Sequence, residues 1–84
     1  MNAPTITIEA HDDCLVIMHK AQHALLEVNK KVAKAFWKVA KVMANNHGYL
    51  GVLDITAKWV NVATVCPNTG KVYLHKTKAW ENQA

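Results

Sequence analysis

The chain contains no arginine; all ten of its basic residues are lysine. Arginine is the usual reader of guanine edges and the preferred bidentate partner of phosphate. Its absence disfavours sequence-specific recognition of duplex DNA, while non-specific contact with phosphates through lysine stays open. Cysteine is scarce as well. A disulfide scaffold of this size normally carries four or more, and here there are two, Cys14 and Cys66, with no Cys-x-x-Cys pair to begin a zinc site. No uncharged apolar run approaches the length of a membrane span. Met1-Asn2-Ala3-Pro4 lacks the basic region and apolar run of a secretory signal. These absences lead to the expectation of a cytoplasmic protein with reduced thiols and no membrane partner.

Catalytic signatures are missing too. There is no Gly-x-Ser-x-Gly, no Gly-x-Gly-x-x-Gly and no phosphate-binding loop. Thr69-Gly70-Lys71 lacks the spaced glycines of a Walker loop and reads as a turn. Neither an enzyme nor a cofactor is expected.

What is present is the composition of one small folded domain. The 84 residues are 51% hydrophobic and 19% charged, with a formal charge of +4. That balance argues against disorder. A chain this short buries a modest core and often needs a partner, a metal or a disulfide to support it.

The stretch 12–46, which holds no proline and no glycine, dominates the pattern. Met18, Leu25, Val32 and Val39 stand seven apart, and Ala21, Val28, Ala35 and Val42 follow each by three. This is the a/d spacing of a helix seam. Leu15, Phe36 and Met43 widen it on one side, Leu26, Ala33 and Ala40 on the other, whereas Val16 and Ile17 fall off it. Asp12 or Asp13 is suited to cap the first turn, and Asn45-Asn46-His47-Gly48 is a stop signal. The run Cys14–Met18 also permits a strand paired with the preceding residues.

Around this helix the spacing changes to two. Thr5-Ile6-Thr7-Ile8 places a strand at 5–9. Beyond Gly48, strands are expected at 49–57, 59–66 and 71–77, the first of them separate from or continuous with the second. Pro67-Asn68-Thr69-Gly70 turns the last two into a hairpin, with Val72 and Leu74 inward and Tyr73 and His75 outward. A tail, 78–84, carries Trp80, which would fold back on the core. The expected fold is α+β: one long amphipathic helix on a three- to four-stranded antiparallel sheet.

Four groups of residues are candidates for function. His19, His23 and Glu27 stand four apart, a spacing that suits metal ligation. They drift from the apolar edge to the charged face, so solvated side chains are the reading adopted. His11, Asp12 and Asp13 resemble an acid/base cluster, but helix capping accounts for the aspartates. Between Val28 and Leu53 there are five lysines and no acid: Lys30, Lys31, Lys34, Lys38 and Lys41. That basic face suits an acidic protein surface, an anionic ligand or nucleic acid. Trp37 lies off the seam, and with Leu26, Ala33 and Ala40 it makes a candidate contact surface.

A helix over 12–46 would be about 50 Å long at 1.5 Å per residue, against a domain diameter of roughly 30 Å. The overhang leads to the expectation of a homodimer. The function expected is non-enzymatic binding: occupation of a macromolecule or sequestration of an anionic ligand. Small inhibitors of host systems encoded by viruses and mobile elements are one form of it; non-specific nucleic-acid binding is the alternative, and a metal-dependent enzyme a remote one.

Overall fold

The computed structural model describes residues 3–77. The elements run β1 (Thr5–Ile8), α1 (Cys14–Val28), α2 (Lys30–Trp59), β2 (Asn61–Val65) and β3 (Val72–His75). The sheet has the order β1-β2-β3, with β1 and β2 parallel and β2 and β3 antiparallel. The α+β architecture is as expected, but the sheet is mixed rather than antiparallel. The reason is topological: parallel strands need a crossover, and here both helices lie between β1 and β2.

β1 buries Ile6 and Ile8 and exposes Thr5 and Thr7. The chain then turns through Glu9 to Asp12, closed by the Asp12 N–H to the Glu9 carbonyl at 3.1 Å and the Glu9 N–H to Asp12 Oδ2 at 3.0 Å. Asp13 caps α1, accepting from the Val16 N–H at 2.9 Å. This cap makes Cys14–Met18 helical instead of a strand. α1 buries Ile17, Met18, Ala21 and Leu25, so Ile17, off the stripe by spacing, is part of the core.

The expected single helix breaks at Asn29. This residue takes an extended backbone (φ −163°, ψ 120°) and serves two helices at once. Its N–H donates to the Leu25 carbonyl at 2.8 Å, ending α1. Its Oδ1 accepts from Lys31 N–H at 2.9 Å, starting α2. The core positions move with it. α1 presents Met18, Ala21 and Leu25, whereas α2 presents Ala33, Phe36 and Ala40, one residue later than a continuous heptad would place them. The helices fold back on each other, and Cys14 and Leu15 come to lie beside Ala44 and Asn45.

α2 also runs past its expected stop and replaces the expected strand 49–57. At Gly48 the backbone takes φ 63° and ψ −144°, a conformation open to glycine, and the helix resumes as a second arm in a new direction. Gly51 lets that arm cross closely, since a Cβ there would stand 2.8 Å from the Met43 carbonyl oxygen. The second arm buries Val52, Ile55 and Thr56 at helical spacing, which the apparent alternation through Leu53 and Ile55 conceals.

The hairpin read over 59–77 is β2 and β3, turned by Cys66 to Gly70 with Gly70 at φ 70°. Register sorts the sheet into two faces, because directly paired residues point the same way. Ile6, Ile8 and Val62 join the helices in the core, and Tyr73 and His75, paired with Thr64 and Val62, share that face. Val72 and Leu74 lie on the opposite face with Val65 and Ala63. This reverses the expected inward and outward assignment in β3, where all four residues are exposed. The expected fold-back of Trp80 lies outside the described residues. The molecule measures 37 × 30 × 19 Å, so no helix among the described residues overhangs the fold and the length argument for a dimer does not hold.

Candidate binding surface

The first arm of α2, from Lys30 to the kink at Gly48, carries three parallel stripes. One is the core stripe of Ala33, Phe36 and Ala40. The second is the basic stripe: Lys30, Lys31, Lys34, Lys38 and Lys41 are all exposed. Among the described residues the lysines that form ion pairs are Lys20 and Lys58, none of these five. They occupy about 16 Å of helix at 1.5 Å per residue. The third stripe is Ala35, Val39 and Val42, also exposed, with Val42 retaining 55% of its accessibility. By spacing these were seam residues. The phase shift at Asn29 turns them outward, leaving an apolar row beside the lysines.

The residues expected to form a contact surface are not brought together. Ala33 and Ala40 are fully buried and belong to the core cluster, so they offer no surface to a second subunit. Leu26 is exposed, on α1. Trp37 is half-buried against His19 of α1, with ring centroids 5.1 Å apart. Sequence reasoning missed that His19 is the partner of Trp37. It also missed the open groove that Trp37 forms, of about 340 Å³, with Cys14, Leu15 and Met18 on one wall and Lys41, Ala44 and Asn45 on the other.

His19 and His23 lie along a second open groove with Val16, Lys20 and the Ile6–Thr7 segment of β1. Glu27 is exposed near the end of α1. Among the described residues, the donor atoms that lie within 4.8 Å of one another are instead those of Glu9, His11 and Asp12. Asp12 is already engaged there: it is buried and accepts from Lys20 Nζ and the Glu9 N–H. The Lys20 contact chiefly, then the Glu9 N–H, holds its carboxyl below the usual range against the opposing effect of burial. Lys20 Nζ also reaches the Thr7 carbonyl at 3.0 Å, capping a backbone group on the β1 edge. The cluster is thus an organiser of the β1–α1 turn.

Cys14 and Cys66 are both free and half-buried. The Cys66 thiol is held below its ordinary range by the Thr69 hydroxyl and by the Thr69 and Asn68 backbone N–H groups. No helix among the described residues is long and apolar enough to cross a membrane. Comparison with protein-family models, curated proteins and solved structures finds no match to the chain.

Proposed function

We propose that this is a small non-enzymatic binding protein that occupies an acidic surface of a partner macromolecule with the first arm of α2. The observation that carries the reading is the adjacency of the two outer stripes. A lysine face that served only solubility would need no row of exposed valines beside it. A row of apolar contacts edged by cations is the pattern of a protein interface, in which charge steers and apolar burial holds. Nucleic acid is less well matched. Stacking on bases needs exposed aromatics among the cations, and Trp37 is turned onto His19. An inhibitor acting by occupation is one form of this function. Cytoplasmic residence belongs to the same proposal, on the two free cysteines.

The test is affinity capture from a cell extract with and without nuclease, followed by direct binding. A partner with an acidic surface should survive nuclease. It should be lost when Lys34, Lys38 and Lys41 are changed to Gln, and separately when Val39 and Val42 are changed to Ser. Capture that disappears with nuclease, with a salt slope of about −0.9 per phosphate on duplex DNA, would establish the nucleic-acid reading instead.

Self-association is part of the proposal, on a different surface from the one expected. The sheet face opposite the helices presents Val65, Val72 and Leu74, all exposed. We propose that a second copy meets it there.

A further inference from the structure

We infer that the groove between α1 and the first arm of α2 binds a medium-chain aliphatic carboxylate, its tail on Trp37 and its headgroup at Lys41. The groove is independent of the partner-docking stripe except for Lys41, which ends one and rims the other. Its walls are apolar: Leu15 and Met18 from α1, Trp37 and Ala44 from α2. Its size, about 340 Å³, lies at the small end of ligand sites. Leu15, one of the lining residues, keeps 56% of its accessibility, an exposed apolar side chain that a tail would cover.

The polar groups fix the sign of the ligand. Lys41 and Asn45 stand one turn apart on α2 and both line the groove, so an ammonium and an amide are available on the same wall. Among the described residues no carboxylate lines the groove, and Lys41 has no ion pair. A neutral apolar ligand would leave the ammonium unused, and a cation would be repelled by it. A short polar anion would leave the Trp37 wall uncovered. One carboxylate on an unbranched tail satisfies both ends. The groove is open rather than enclosed, so affinity should depend on tail length.

The experiment uses the full chain and sodium decanoate below its micelle concentration, read by amide chemical shifts. Saturable one-to-one binding is expected, with shifts centred on 14–18 and 37–45. Octanoate should bind more weakly, by about four-fold per methylene removed. Lys41→Gln, at an exposed position, should weaken decanoate by about three- to five-fold and leave decanol unchanged. Lys34→Gln and Lys38→Gln should not affect decanoate, which separates this site from the docking stripe. Decanoate should also slow iodoacetamide alkylation of Cys14 and not of Cys66, an internal control on the β2–β3 turn. Equal affinity of Lys41→Gln, non-saturable binding, unprotected Cys14, or uptake only from anionic phospholipid vesicles would each overturn the assignment.

Discussion

Single residues settle the entry to the helical layer. Asp13 was readable as a cap because an aspartate ahead of an apolar run has few other uses. The part played by Asp12 was not readable, since its partners, Lys20 and the Glu9 N–H, are brought to it by the turn. Its lowered pKa makes a prediction with a definite sign. A carboxyl depressed on folding adds stability above its unfolded pKa, and that stability is lost as the pH falls through the folded value. Acid unfolding should therefore include a component below the usual aspartate range. Asp12→Asn should be less stable than the parent at neutral pH and converge with it in acid. Thermal melts across the acid range check this, and a constant gap between the two curves would remove Asp12 from the account. Thr56 makes the opposite case. Its side chain is fully buried, and its hydroxyl has no hydrogen-bond partner among the described residues. An unsatisfied buried hydroxyl costs about 1 kcal/mol or more. Thr56→Val should accordingly stabilise the fold by about that amount, measured by urea denaturation.

Elements were legible where the pattern was local and ambiguous where a single residue redirects the chain. β1 and the hairpin follow from alternation and the Pro67–Gly70 turn. The two long misreadings both come from junctions. At Asn29 an apolar heptad can be drawn straight through, because Val28, Val32, Ala35 and Val39 keep the count. Phe36, the largest fully buried side chain, sits one place off that seam, and this was the available clue that the phase changes. At Gly48 the stop signal was real as a kink, yet the chain has enough helical spacing in Val52, Ile55 and Thr56 to begin again. Asn29→Ala should cost about 1 kcal/mol, the value of a lost N-cap, while Asn29→Asp should retain most of it. Gly48→Ala should cost about 1–3 kcal/mol, since a side chain strains at this positive φ. Denaturation midpoints decide both. If Gly48→Ala is neutral, the kink is not held as described.

At the scale of the whole molecule the question is how two unlike surfaces are arranged. The helical layer carries the lysine stripe. The outer face of the sheet carries no charge at its paired positions: Thr5, Thr7, Asn61, Ala63, Val65, Val72 and Leu74. Two copies of a chain with net charge +4 repel at long range. Contact through the lysines would bring five cations against five more, with no acid between Val28 and Leu53 to separate them. Contact through the sheet brings together apolar centres with threonine and asparagine at their edges, which is the self-complementarity a two-fold interface requires. Such a dimer would hold both helical layers outward, so an acidic partner with repeated sites would meet two lysine stripes at once and gain from effective concentration. Salt distinguishes the two surfaces. Partner binding through lysine should weaken as salt screens it, whereas the sheet contact should hold or strengthen as the repulsion between copies is screened. Sedimentation equilibrium should therefore show a mass twice 9.4 kDa at high micromolar concentration and high salt. Leu74→Glu should return it to monomer with its helical circular dichroism unchanged, and Lys34, Lys38 and Lys41 changed to Gln should leave it a dimer. A 9.4 kDa species throughout would remove self-association from the proposal and leave the lysine stripe acting alone.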